Sequence, residues 1–364
     1  MKRSGLCVSL FVAISFLALG CKTSRSAING KSVQVKGTGG RNARPAASEL
    51  VAVPGSATTL QGQKPDVRVA LVGDQGIGKR ARAVLDLIRS EGADFLVILG
   101  DFDYENKPSE WAAMLDNLGM DYPWFAVVGN HDVSRWSDYQ AIIVAKQSHI
   151  LGANCAGKPG RQTNCLFRGV QLIMSEIGTL GDRTDNEEFI RRELAQSQGP
   201  WKLCLWHKTQ HDMQTGAKTD EVGWTAYELC QASGAIIVTG HEHAYARTKT
   251  LTALGNAALG YGAVGALNEL EVGPGRTFVA VAGLGGIETR VFVPSHNEDT
   301  WWGAYFTADR ESVNGQARPA TNNPDGMGAL FLDFGIGGNA HRGRGRFVTA
   351  MTKRVVDDFG ITFK

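Results

Sequence analysis

The sequence lacks a run of about 20 apolar residues, the length a helix needs to cross a bilayer. It also lacks any Cys-x-x-Cys pair. The first absence argues against an ordinary membrane-spanning helix, the second against a zinc site of that spacing. Proline is scarce, 11 in 364 residues, and the 45 glycines follow no fixed period, which excludes a collagen-like fibre. No internal repeat recurs along the chain. A large charge of one sign is missing too, since the formal net charge is +2. That sum hides two unlike parts. Residues 1–65 hold nine Lys/Arg and one acid, Glu49, whereas residues 66–364 hold 29 Lys/Arg and 35 Asp/Glu. A basic leader before a mildly acidic body argues against a nucleic-acid-binding domain, which is basic where it binds. What is present, 43% hydrophobic and 20% charged residues, suits a globular chain able to bury a substantial core.

Lys2 and Arg3 precede an apolar run over residues 6–19 that fits the h-region of a secretory signal. The run ends Leu17-Ala18-Leu19-Gly20-Cys21, small residues before a Cys, and resembles a bacterial lipoprotein signal. That resemblance implies cleavage before Cys21, lipidation of Cys21, and an exported protein anchored by lipid in the bacterial cell envelope. Ordinary signal cleavage is the alternative. Residues 22–65, rich in Ser, Gly, Ala and Lys/Arg, show neither a 3.6- nor a 2-residue period and read as a flexible tether. Residues 66–364 are then left as one domain. Its cysteines are Cys155, Cys165, Cys204 and Cys230. Cys155 with Cys165 is the favoured disulfide, closing a short polar loop. Cys204 and Cys230 sit in apolar stretches, where a buried free thiol is equally open.

From residue 66 the pattern alternates. Apolar runs at 67–72, 95–99 and 124–128 read as strands, with helical spacing at 80–89 and around 111–118. Later, strands are expected at 204–206 and 235–239 around a helix at 225–231. The rest is mainly strand-like with Gly-rich turns, for example at 277–282, 329–334, 346–351 and 354–363. This is the order of a layered α/β domain.

Five apolar runs each end in polar, metal-type donors: Asp74; Asp101 with Tyr104; Asn130-His131; His207; and His241 with His243. In open α/β sheets, sites form beyond the carboxyl ends of strands. One Gly-Asp or Gly-Asn pair is only a turn signal. Five in order bring hard oxygen and imidazole donors to one place.

The series GDQG (73–76), GDFDY (100–104), GNHD (129–132), LWH (205–207) and GHEH (240–243) resembles the calcineurin-like metallophosphoesterases. GHEHAYAR (240–247) and Tyr104 resemble the purple acid phosphatases among them. Most members carry His two residues after the first Asp; here Gly76 stands there, and the Tyr104 phenolate takes its place. The resemblance implies a four-layer α/β/β/α sandwich, the metallo-dependent phosphatase-like fold. It implies a binuclear centre with Asp74, Asp101, Tyr104 and His243 on one ion and Asp101, Asn130, His207 and His241 on the other. Three anionic donors suit Fe(III), while an amide and two imidazoles leave the second position to a divalent ion, Zn, Fe or Mn. The implied reaction is hydrolysis of a phosphorylated small molecule by a metal-bound hydroxide, with phosphomonoesters first. A phosphodiesterase on the same site, or a surface protein that binds without turnover, are the alternatives. His131 matches the non-ligand His of its motif and is expected to stabilise phosphate charge or protonate the leaving oxygen. Asp132 is expected to orient it. His211 lies nearer the fourth motif than the family's further catalytic His and is a candidate catalytic residue or substrate contact. Tyr245 and Arg247 are open to substrate or scaffold roles. Trp301-Trp302 could wall a pocket or pack in the core. His149, His296 and His341 read as surface or loop residues.

Overall fold

A computed structural model describes residues 65–313, 315–320 and 326–364. The signal, the tether up to residue 64 and the lipidation candidate Cys21 lie outside the described residues. Strand β1 (Val67–Val72) shows how the sequence builds the layers. Its side chains alternate between two buried faces, Val67, Val69 and Leu71 on one, Ala70 and Val72 on the other. A strand buried on both sides reads as a continuous apolar run, and β2 (Phe95–Leu99) and β3 (Trp124–Val127) do the same. These three are parallel and adjacent.

Between them run α1 (Lys79–Ser90) and α2 (Pro108–Leu115), and α3 (Trp136–Gln147) follows β3. Proline begins α2, where its missing N–H costs nothing. Further along come β4 (Asn154–Gly157), β5 (Thr163–Phe167), β6 (Val170–Met174), α4 (Arg183–Gln196), β7 (Lys202–Trp206), α5 (Thr225–Ala232) and β8 (Ile236–Thr239). The remaining strands are β9 (Tyr245–Thr248), β10 (Glu269–Val272), β11 (Val279–Ala282), β12 (Trp302–Phe306), β13 (Arg310–Val313), β14 (Gln316–Pro319), β15 (Gly328–Phe334), β16 (Arg342–Thr349) and β17 (Val355–Phe363).

The strands form two sheets, in orders β10-β17-β16-β15-β1-β2-β3 and β14-β13-β12-β9-β11-β8-β7-β6-β5-β4. One core lies between them, with Val69, Leu71 and Val97 of the first sheet packed with Leu172, Leu203 and Val238 of the second. The outer face of the first sheet carries α1, α2 and α3 through Val84, Trp111 and Ile143. The outer face of the second carries α4 and α5 through Phe189, Ile190 and Tyr227. Each such fully buried apolar side chain contributes about 1.5–3 kcal/mol relative to exposure. The result is the expected four-layer α/β/β/α sandwich.

Two helices, α3 and α4, and the β4–β6 meander were not foreseen from periodicity. Both cysteine pairs are bonded: Cys155 faces Cys165 directly across β4 and β5, and Cys204 of β7 is joined to Cys230 of α5. The free-thiol option for Cys204 and Cys230 is therefore replaced by a bond between a strand and the helix that covers it. Tyr245 and Arg247 are scaffold: the Tyr245 hydroxyl donates to Asp357 Oδ2 at 2.6 Å, and the Arg247 guanidinium spans both Asp357 oxygens at 2.8 Å, all buried. Trp302 packs with Val281 and Phe292, and Trp301 donates to Asp212 O at 3.1 Å. His296, read as a surface residue, is buried and bridges Asp299 Oδ2 (2.7 Å) and Gly216 O (3.1 Å).

Candidate metal centre

The parallel strands of both sheets end at one seam. Asp74 follows β1, Asp101 and Tyr104 follow β2, and Asn130 follows β3. His207 follows β7, and His241 and His243 follow β8. Backbone bonds stitch the seam: Gly73 N donates to Ala282 O at 2.7 Å, and His241 N to Asp74 Oδ2 at 2.8 Å. Glycine is required where the turns meet. A Cβ on Gly129 would lie 2.1 Å from Asp101 N, and one on Gly100 would lie 2.7 Å from His207 Nδ1. Asp74 (φ 59°), Asp101 (54°), Tyr104 (60°) and His241 (68°) all hold left-handed backbone. Non-glycine residues adopt that region at a cost, and they collect where function over-determines the loop.

The donors converge. The Tyr104 hydroxyl lies 2.9 Å from Asp74 Oδ1, 3.2 Å from Asp101 Oδ2 and 3.1 Å from His243 Nε2. His207 Nε2 lies 3.1 Å from Asn130 Oδ1 and 3.3 Å from Asp101 Oδ2. Asp101, His207 and His241 offer ligand atoms all within 4.8 Å of one another. Outer contacts fix the imidazoles. His207 Nδ1 sits 2.7 Å from Leu99 O, and His243 Nδ1 sits 3.1 Å from Glu288 O. Each carbonyl needs a proton on Nδ1, which leaves the Nε2 lone pair facing the cluster. His241 is turned the other way, with Nε2 3.2 Å from Glu221 Oε2 and the Lys208 ammonium paired to the same carboxylate.

This arrangement tests whether the residues suit a cation. With protons committed outward, His207 Nε2 faces two oxygens, and one phenol faces two carboxylates and a third imidazole. Acceptors aimed at acceptors in a buried site need positive charge between them. Without it, His207 itself must carry a proton: burial opposes this, but Asp101 prevails and raises His207 to about 9. Burial works to raise Asp101, yet His207 and the His131 N–H hold it well below the usual carboxylate range. Burial, Asp74 and Asp101 together raise the Tyr104 phenol. Burial, His207 and the two lysines Lys218 and Lys208 keep His241 neutral. The donor set fits metal ions.

His131 stands at the mouth. Its side chain is 51% exposed, with Nε2 4.0 Å from Asp101 Oδ2 and its ring against Tyr104. Asp132 does not orient it. Buried beneath the turn, Asp132 accepts instead from the backbone N–H groups of Asp101 (2.9 Å), Phe102 (2.8 Å) and Gly129 (2.7 Å), so it shapes the loops that present Asp101 and Asn130. His211 makes no hydrogen bond to the cluster. Its Nδ1 meets Lys218 O at 2.7 Å, and its ring lies against His296. A Cβ on Gly76 would lie 3.1 Å from Ile287 Cδ1, and the residue holds left-handed backbone (φ 67°), so a side chain there would be both strained and crowded. Sequence reasoning missed Glu221, which stands in a loop without a motif. It also missed Lys208, although that residue directly follows His207.

The fold and the donor set are those expected of a metallophosphoesterase domain, and the family model of calcineurin-like phosphoesterases matches residues 67–245. No curated protein matches the chain. Among solved structures, a purple acid phosphatase, PPD1, from yellow lupin (Lupinus luteus) seeds is similar at TM-score 0.59 and 15% identity, over 82% of this chain and 54% of that one. A structure of PhoD is similar at TM-score 0.50 and 11% identity, over 82% of this chain and 70% of that one. The chain thus spans about half the length of the lupin enzyme, and at these identities the likeness is one of fold.

Proposed function

We propose that this protein hydrolyses phosphate esters, monoesters first, at a binuclear centre of Fe(III) and a divalent ion (Zn, Fe or Mn). The observation that carries the reading is the convergence of donors from both sheets on two neighbouring positions. Asp74, Tyr104 and His243 form one; Asn130, His207 and His241 form the other; Asp101 lies between. When bound, such a pair of cations neutralises phosphoryl charge and makes water a nucleophile near neutral pH. The chain's own residues do the rest. The left-handed turns hold the carboxylates in place, the outer carbonyls fix the imidazole tautomers, and the two-sheet seam excludes bulk water on the protein side. His131, half-exposed beside Asp101, is placed to give a proton to the departing oxygen. His211 acts through the loop it holds at Lys218.

The test combines metal analysis with matched esters. Protein loaded with iron is expected to hold about two metals and to show a visible charge-transfer band that Tyr104→Phe removes. Asn130→Ala and His207→Ala are each expected to deplete one metal and most turnover of an aryl monophosphate. Iron-loaded protein without the band sinks the Tyr104 assignment. Full activity in both variants sinks the two-metal reading, and faster turnover of the matching diester makes the protein a phosphodiesterase.

We also propose export and a lipid anchor at Cys21. The leader's sequence supports this, and so do two disulfides, which form and persist in oxidising compartments. Among the described residues no helix is long and apolar enough to cross a membrane. Cys21→Ala is expected to abolish partitioning into detergent; retained partitioning sinks the anchor.

A further inference from the structure

Beside the metal centre lies a cavity of about 520 Å³ that the reaction as described does not use. Its walls include Gly216, Lys218, Glu242, Thr289 and Arg290. Two of its segments are bonded to the metal-site residues. Glu242 sits between His241 and His243 in the chain. Ile287 N donates to Asp74 O at 3.2 Å, Glu288 O meets His243 Nδ1, and Arg290 N donates to His243 O at 2.8 Å. The wall that carries Arg290 is therefore the outer layer of the centre itself.

The opposite wall is the 214–218 loop, which is also pinned. Val293 N donates to Thr215 O at 3.0 Å, and His296 Nε2 lies 3.1 Å from Gly216 O. His211 Nδ1 and Gln214 Nε2 both meet Lys218 O, at 2.7 and 3.1 Å. Gly216 presses on Glu242 so closely that a Cβ there would fall 2.3 Å from its carboxyl carbon. The loop is thus held from outside by Val293, His296 and His211, and within itself by Gln214.

The charges do not cancel within this cavity. Glu242 is buried, and neither of its oxygens has a hydrogen bond; its nearest cation is the Arg290 guanidinium at 3.5 Å. That pair is loose but neutral. Lys218 is half-buried, and its ammonium makes no direct hydrogen bond or ion pair among the described residues; burial and Arg290 weigh against its charge, and Glu242, Asp74 and Asp101 favour it only from a distance. An ammonium in a cavity wall with no carboxylate in direct contact leaves its hydrogen-bond donors open to an anionic ligand. The metal centre already accounts for the reacting phosphoryl group, so this anion is a different one.

We propose that the cavity is a subsite for a second anionic group, a carboxylate or a phosphate, carried by the leaving group of the phosphoester, with Lys218 its principal contact. This rests on the phosphoesterase reading and names the class of substrate within it. Glu242 and Arg290 form the floor.

The experiment uses phenyl phosphates bearing para-carboxylate, para-phosphonomethyl or neutral para-carboxamide, and reads the ratio of kcat/KM for each anionic ester over the neutral one. In Lys218→Ala the ratio is expected to fall about tenfold from the wild-type value, the size of one charge-assisted hydrogen bond. Lys218→Arg is expected to keep most of it. The ester with the larger wild-type ratio tells carboxylate from phosphate. An equal ratio in wild type and Lys218→Ala overturns the subsite. The corresponding non-hydrolysable phenylphosphonates, titrated calorimetrically into the metal-loaded protein, separate the two readings. If no ester is turned over but the anionic phosphonates bind more tightly in a Lys218-dependent way, phosphoester hydrolysis falls and the anion subsite stands. If Lys218→Ala leaves their affinities unchanged, the subsite falls.

Discussion

At the scale of the residue, the most informative side chain is His241. Its two neighbours in role, His207 and His243, are held by backbone carbonyls, which are part of the fold and cannot be mutated away. His241 leans instead on Glu221, itself held by Lys208. A carboxylate behind an imidazole fixes the tautomer and raises the basicity of the nitrogen that faces a metal. Glu221→Gln keeps the shape and removes the charge. It is expected to weaken metal binding at the Asn130, His207 and His241 position by about 10- to 100-fold. Competitive titration with a chromophoric chelator measures this directly, and the other metal position, which does not touch Glu221, serves as the internal reference. Unchanged affinity at both positions would reduce the Glu221 contact to a surface ion pair. The seven ligand candidates were legible because each combines a donor with a turn at a strand end. Glu221 was not, because only three-dimensional proximity relates it to His241. Asp132 misled for the same reason: next to His131 in sequence, it reaches the backbone of Asp101, Phe102 and Gly129 in space.

At the scale of the element, β7 carries His207 and is fastened to α5 by Cys204–Cys230. The bond joins residues 26 apart, and closing a loop of that size removes unfolded-state entropy worth about 3 kcal/mol. The double variant Cys204→Ala, Cys230→Ala is expected to lose about that much unfolding free energy in urea, with the native fold retained, because β7 remains paired to β6 and β8 on both sides. An unchanged midpoint would mean that α5 is held by packing alone. Elements were legible in proportion to how cleanly they sort apolar from polar. Helix α1 buries Val84, Leu85, Leu87 and Ile88, and its period shows. Helix α4 was not legible, since its buried face includes Asn186, which accepts from Ser175, and Glu193, which accepts from Asn164. Polar residues on the inner face erase the hydrophobic period that sequence reasoning depends on. Helix α3 buries only Tyr139 and Ile143, too few to mark a face.

At the scale of the whole molecule, the candidate metal centre draws its donors from both sheets. Four donors stand on loops of the first sheet and three on loops of the second, and backbone bonds such as Gly73 N to Ala282 O and Gly285 N to Gly73 O cross between the sheets there. Asp74 and Asp101 are buried and Tyr104 is half-buried, and without cations their charges and lone pairs crowd one another on the first sheet's side of the seam. Metal ions that bind this arrangement and not the unfolded chain add stability by mass action, about 2.7 kcal/mol per ion at a free concentration 100-fold above the dissociation constant. In a domain of about 300 residues each kcal/mol moves Tm by roughly 1.5–2 °C. Exhaustive chelation is therefore expected to lower Tm by roughly 4–5 °C for each ion removed, and re-addition of metal to restore it. Calorimetry of the full chain with and without chelator makes the measurement, with metal content followed in parallel. Asn130→Ala supplies the control that separates metal linkage from a general effect of the chelator. Having lost one ion already, it should start lower and respond less. If chelation strips both ions and Tm stays in place, the seam is held by the inter-sheet core and its backbone bonds alone. The left-handed turns at Asp74, Asp101, Tyr104 and His241 would then be a cost that the fold sustains without metal.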